Sequence, residues 1–207
     1  MSDSASDQVP NEPASASRRE RKKADNRAAL LVAARTVFAE MGYGAASVRD
    51  IVRRTDLATG TFYNYFDDKD AIFRAVVGEL TSEILRRHQA GRRTARTAEE
   101  FVRRHFEVYF RFVAEDPELL ALARRNMTAI RTLLDHPEVR VLSQALHQDI
   151  IEAMAAGILP QHDPTLLAAS LAGIAFEVSV VMIARDPPDP GATARFAADL
   201  VLKGLSR

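Results

Sequence analysis

The chain contains no cysteine among its 207 residues. That excludes disulfides, thiolate metal sites and a thiol nucleophile together. Neither sign of charge is in excess, with 28 basic and 28 acidic residues, so bulk charge names no partner class. Nine glycines and nine prolines fall mostly at plausible element ends, and no β-type alternation or regular repeat is present. His88, His105, His136, His147 and His162 lack metal-binding spacing such as His-Glu-x-x-His. There is no glycine-rich phosphate loop and no nucleophile elbow. The sequence therefore offers no catalytic constellation, no metal site and no cofactor site, and the expectation is a protein that is not an enzyme. What is abundant is apolar residue, 47% of the chain, recurring at helical spacing. That predicts an all-α fold of about nine helices with a real core.

Residues 1–17 are rich in Ser, Ala, Pro and Asp, with Val9 as the one core-former. They are expected to be disordered, because they cannot offset their ordering entropy. They lack the basic start and apolar run of a signal peptide, which implies a soluble cytoplasmic protein. Arg18, Arg19, Arg21, Lys22, Lys23 and Arg27 follow. Such a run is a solvated helix lead-in or, placed beside a DNA-reading unit, an arm for phosphates or a minor groove. A first helix is predicted over about Asn26 to Glu40, with Leu30, Leu31, Ala34, Val37 and Phe38 inward and Gly42 ending it.

The stretch Ser47 to Lys69, SVRDIVRRTDLATGTFYNYFDDK, reads as two short helices and a tight turn. Ser47 and Asp50 have capping-box spacing, so a helix starts at Val48 and runs to about Arg54 or Thr55. Asp56 suits the turn. A second helix covers roughly Thr59 to Phe66, with Phe62, Tyr65 and Phe66 inward and Thr59, Gly60, Tyr63 and Asn64 outward. An outward set of this chemistry suits a helix-turn-helix DNA reader, in which Thr and Asn address base edges and a tyrosine hydroxyl reaches phosphate. The same spacing also fits an ordinary helical hairpin with aromatics in its core.

The wording separates the two readings. LLVAARTVFAEMGY (Leu30–Tyr43), SVRDIV (Ser47–Val52), TGTFYNYF (Thr59–Phe66) and Lys69 resemble the tetracycline-repressor (TetR) family of bacterial transcription regulators. The likeness covers about a quarter of the chain, residues 30–77. It departs from the family's usual wording at Asp56, where Gly is common, at Val52, where Ala is common, and at Ala58, where a capping Ser is common. The resemblance implies a homodimeric repressor that binds double-stranded operator DNA and is released by a small molecule. The candidate DNA-binding residues are Arg21, Lys22, Lys23, Tyr43, Ser47, Arg49, Thr59, Gly60, Thr61, Tyr63, Asn64 and Lys69. Residues 18–68 would form the DNA-binding domain, and residues 69–207 a ligand-binding and dimerisation domain.

In that second part, helices are expected from Lys69 to about Ala90, Ala98 to Ala114, Pro117 to Arg125, Pro137 to Gly157, Asp163 to Ala184 and Ala192 to Leu205. Continuity over Met127–Leu134 is open, and Ala90–Thr97 reads as a basic loop. Leu166 to Ala184 is apolar enough to invite a membrane span. Glu177 at mid-span, the many small residues and the lack of an aromatic belt argue instead for a helix buried on several sides. It would meet its own domain and a partner subunit through Ala168, Ala169, Ala172 and Gly173, with Phe196 and Leu200 of the final helix. His105, Tyr109, Asn126 and Glu177 are the candidate polar anchors of a pocket for a small apolar or amphipathic ligand. A DNA-binding dimer without a ligand, and a helical enzyme, stay open as alternatives.

Overall fold

In the computed structural model, residues 12–91, 95–133 and 136–205 are described. They form nine helices: α1 Glu12–Met41, α2 Val48–Val52, α3 Thr59–Phe62, α4 Lys69–Gly91, α5 Ala98–Glu115, α6 Pro117–Thr132, α7 Pro137–Ala155, α8 Pro164–Ile183 and α9 Pro190–Leu205. Among the described residues there is no strand.

Sequence chemistry accounts for most helix ends. Thr97, Asp116 and Asp163 each cap a following helix by accepting from a backbone N–H in its first turn. Pro117, Pro137 and Pro164 occupy first positions, where no N–H is needed. Gly42 and Gly157, at φ +79° and +70°, end α1 and α7 in the left-handed region open to glycine.

α1 departs most from expectation. It begins at Glu12 and takes in the whole basic run, so the segment expected to be disordered is helical from there on. Pro13 sits in its first turn, where proline does not interrupt a helix. Residues 1–11 lie outside the described residues, as do residues 92–94 of the expected basic loop. α6 runs unbroken through most of the stretch whose continuity was open. α3 is shorter than expected: past Phe62 the chain continues as turns, with Tyr65 N–H bonding to Phe62 O at 2.9 Å and Phe66 N–H to the same oxygen at 3.1 Å.

Among the described residues the buried apolar side chains form three clusters. One joins α1, α2, α3 and the first half of α4 around Phe38, Ile51, Phe62 and Phe73, and it also takes in Leu122, Leu133 and Val139. The core therefore crosses the expected boundary at residue 68. A second cluster packs α5, α7, α8 and α9 around Phe106, Phe110, Ile150 and Leu171. A third joins α4, α5 and α6 around Ile84, Phe112 and Leu119. α5 lies along α9, α4 along α7 and α1 along α6.

α8 is covered on one side. Leu167, Leu171, Ala175, Ser179 and Met182 are buried, whereas Leu166, Ala169, Ser170, Gly173, Glu177 and Val181 are exposed along the opposite stripe. By length and composition α8 is apolar enough to cross a membrane, but its buried stripe belongs to the core of a helical domain. Phe196 and Leu200 of α9, both expected among the buried residues of that helix, are more than half exposed. The α8 and α9 faces together leave an apolar surface uncovered in the single chain.

Candidate nucleic-acid interface

The reading unit starts from its cap. Ser47 Oγ accepts from the Asp50 N–H at 3.3 Å, and Asp50 Oδ2 accepts from the Ser47 N–H at 3.0 Å. This closes the capping box and starts α2 at Val48. The hydrogen bonds from Ser47 hold the Asp50 carboxyl below the usual carboxylate range. Ile51 and Val52 then turn inward, leaving Arg49 exposed. Ala58 gives α3 no side-chain cap, so α3 is held by its buried face. Phe62 is fully buried and meets Phe66 at 5.8 Å between ring centroids.

That anchoring presents Thr59, Gly60, Tyr63 and Asn64 to solvent, with Thr61 half-buried. The Tyr63 ring stands edge-on to Phe62 at 5.3 Å, so its hydroxyl is carried on a braced ring. A Cβ at Gly60 would meet no atom within 4 Å. Gly60 is thus free of any demand from the protein's own packing, and its smoothness serves whatever approaches from outside.

The basic run of α1 is aligned with this unit by its neighbours. Asn26 Nδ2 donates to the Tyr65 hydroxyl at 3.1 Å, and the Arg27 guanidinium lies 5.4 Å from the Phe66 ring centroid. At about 100° per residue, Arg19, Lys22 and Lys23 share the Asn26 face, while Arg21 lies on the far side. Arg21 instead bonds back to Ser17 O at 3.4 Å. All four are exposed. Arg21 is therefore the member of the expected trio whose direction does not match, and Arg19, part of the basic run but not among the candidate DNA-binding residues, shares the face of Lys22 and Lys23.

Two further expected contacts are engaged inside the protein. The Lys69 ammonium donates to Tyr43 O at 2.8 Å and Ala46 O at 2.9 Å, and lies 4.3 Å from the Tyr43 ring centroid. It ties the start of α4 to the α1–α2 turn instead of standing free for a phosphate. The Tyr43 hydroxyl bonds Asp70, which with partial burial pushes its pKa up to about 12. The Tyr43 ring packs between Phe38 and Phe73. Both residues build the turn, and Asp70 was not anticipated.

The four expected ligand anchors do not converge. His105 stacks on His88 of α4 with centroids 5.0 Å apart, and its Nε2 is buried without a hydrogen-bond partner among the described residues. Burial pushes the His105 pKa down to about 3 and that of His88 to about 4. Tyr109, one turn along α5, is pushed up to about 12 by burial, opposed by a hydrogen bond with Ser179. Asn126 is elsewhere, buried against α1 with its amide engaged by Tyr43, Phe38 and Leu122. Glu177 is exposed on the uncovered stripe of α8, because that helix is buried on one side only. Two open grooves flank α4. One, of about 660 Å³, is lined by Arg27, Arg74, Arg86 and Glu138 among others; the second, of about 510 Å³, is lined by Leu31, Arg35, Arg87 and Phe112 among others. Neither is lined by His105 or Tyr109. Among the described residues no group of three or more His, Asp or Glu could hold a metal ion.

Comparison with known proteins agrees with the arrangement. Residues 30–76 match the family model described as bacterial regulatory proteins, tetR family. YvdT, an uncharacterised HTH-type transcriptional regulator of Bacillus subtilis, is 41% identical over 56 residues, which is 27% of this chain and 29% of YvdT. Over most of its length the chain shares its fold with the fatty acid degradation regulator FadR from Bacillus halodurans. That match has a TM-score of 0.74 and 22% identity, covering 85% of this chain and 94% of the other. FadR from Bacillus subtilis, solved in complex with stearoyl-CoA, gives 0.70 and 21%, covering 85% and 97%.

Proposed function

We propose that this chain, which belongs to the tetR family of bacterial regulatory proteins, is a homodimeric transcriptional regulator that binds operator DNA and is released by a small molecule. The observation that carries the reading is the exposed set Thr59, Gly60, Tyr63 and Asn64 on a short helix anchored by the buried Phe62. A helix of this kind offers base-edge chemistry at its surface while a rigid core fixes its direction. Thr59 and Asn64 read bases, and Tyr63, Lys22 and Lys23 engage phosphates. Residues 18–68 form the reading part and residues 69–207 the responsive and dimerising part, although their cores are joined.

A second copy covers the stripe of Leu166, Gly173 and Val181 on α8 together with Phe196 and Leu200 on α9. An isologous two-fold interface places two reading units on one duplex. Ala168, Ala169 and Ala172 keep that side of α8 narrow. The ligand site lies among the C-terminal helices near His105 and Tyr109, where an unpartnered ring nitrogen and a phenol stand within apolar packing. FadR of Bacillus subtilis carries stearoyl-CoA, and a ligand with a long apolar body and a polar end suits the same chemistry here. The reading makes the protein a cytoplasmic regulator with no catalytic role.

Selection from a random duplex library at physiological salt tests it. A recovered inverted repeat whose preference relaxes in Asn64→Ala supports the reading; sequence-independent recovery overturns it. Thermal melts against acyl-CoA thioesters and other amphipathic compounds test the ligand. A rise in melting temperature that disappears in Tyr109→Phe or His105→Leu would support the assigned site.

A further inference from the structure

The turn that leads from α1 into the reading unit is completed by a side chain from far along the chain. A helix that ends on a left-handed glycine commonly turns the next N–H back onto a carbonyl of its own last turn. Gly42 does its part, bonding Phe38 O at 3.1 Å. The Tyr43 N–H instead donates to Asn126 Oδ1 at 2.5 Å, and Asn126 Nδ2 donates to Phe38 O at 2.9 Å and to Leu122 O at 2.7 Å. The amide is inserted into the helix cap, supplying the acceptor that one backbone group needs and a donor to another. Asn126 is 2% exposed, and its partners in α1 and the turn lie 88 and 83 residues away.

The insertion is supported on both sides. A Cβ at Gly42 would stand 3.1 Å from Arg125 Cγ, so α6 sits directly against the turn. Arg35 of α1 pairs with Asp116 and Glu118 at the other end of α6. From α4, Lys69 and Asp70 hold the same turn through Tyr43 and Ala46. Immediately beyond it, Ser47 starts α2. At this turn α4 and α6 are hydrogen-bonded to the segment that leads into the reading unit.

We propose that Asn126 is a positioning residue: through the Tyr43 N–H and the Phe38 carbonyl it fixes the direction of α2 and α3 relative to the C-terminal helices. The proposal rests on the DNA-binding reading above. The residue type follows from the geometry, since one short side chain must both donate and accept in a dry site. Leucine there would take away the acceptor of the Tyr43 N–H, and aspartate would set a carboxylate against two carbonyls.

The test uses the full chain with Asn126→Ala, comparing the affinity for its preferred duplex, the affinity for random duplex and the amide exchange of Tyr43. All are read at a temperature where circular dichroism shows the variant folded. The expected result is at least about tenfold faster exchange at Tyr43 and at least about tenfold weaker binding to the preferred duplex. Random-duplex affinity and its salt dependence should be unchanged, because phosphate contacts are untouched. If Asn126→Ala does not fold, Asn126→Ser, which keeps a small polar group, takes its place with the same readouts. A folded variant with a lower melting temperature but undiminished preference for the duplex would overturn the proposal and leave Asn126 a structural residue only. A wild-type chain that prefers no duplex in the same titration would overturn the DNA-binding reading and the proposal with it.

Discussion

The helical continuation of the basic run into α1 turns a statement about charge into one about direction. Arg19, Lys22 and Lys23 share the face of Asn26, which is bonded to Tyr65 beside α3, and Arg21 does not. Replacing the three by alanine removes the cations aligned with the reading unit. It should leave the helix intact, since alanine is the strongest helix former and exposed substitutions typically shift stability by less than about 0.5 kcal/mol. Each lost phosphate contact lowers the slope of log affinity against log salt by about 0.9, so the triple variant should lose a slope of about 2.7. Over a fourfold rise in salt the wild type would then lose about 40-fold more affinity than the variant. Fluorescence anisotropy on one labelled duplex between 50 and 200 mM salt measures this, with Arg21→Ala as the matched control expected to keep the wild-type slope. An unchanged slope in the triple variant, or an equal drop in Arg21→Ala, would refute the assignment of that face.

Other consequences follow from the packing. Phe62→Ala removes the fully buried anchor of α3 and should destabilise the chain by about 3–5 kcal/mol in urea melts, a full-size loss that an exposed ring would not give. His88 and His105, lowered by burial to about 4 and about 3, stay neutral in the folded chain while the unfolded chain takes up protons below about pH 6.5. Stability should therefore be undiminished above that value and fall as the pH drops towards 4, by roughly 2 kcal/mol or less per ring at pH 5. The double variant His88→Gln/His105→Leu should show a shallower fall than the wild type over the same window. Val181→Lys with Phe196→Lys, on the uncovered faces of α8 and α9, should turn a dimer into a monomer in sedimentation without unfolding it. Glu177→Gln, on that same exposed stripe, should leave any ligand response intact; loss of the response with folding and assembly unchanged would put Glu177 back in the pocket.

Local chemistry was legible in the sequence where local chemistry decides. Ser47 with Asp50, Asp163 with Pro164 and the αL Gly42 mark helix ends through contacts within a few residues. The inward Phe62 and outward Thr59, Tyr63 and Asn64 follow from spacing alone. The α1 extension was not legible, because Ser, Ala and Pro composition argues against a core contact and says little about whether a helix already begun downstream continues backwards. Asn126 looked like a pocket residue because its partners, Tyr43 and Phe38, are adjacent only after α6 lies on α1. Lys69 looked free for the same reason: a lysine at a helix start reads as exposed until two carbonyls are folded against it. Glu177 was misplaced by composition. α8 is apolar nearly all round, so its composition does not say which face the chain's own core covers, and Glu177 lies on the face left exposed.

The most direct measurement is a gel shift of the full chain on the duplex upstream of its own coding region, competed by a scrambled duplex of equal length and base composition. A sequence-specific homodimer forms a complex carrying two chains per duplex that survives excess scrambled competitor and is lost in Thr59→Ala/Asn64→Ala. A complex displaced equally well by either competitor, or indifferent to that double substitution, would contradict that reading.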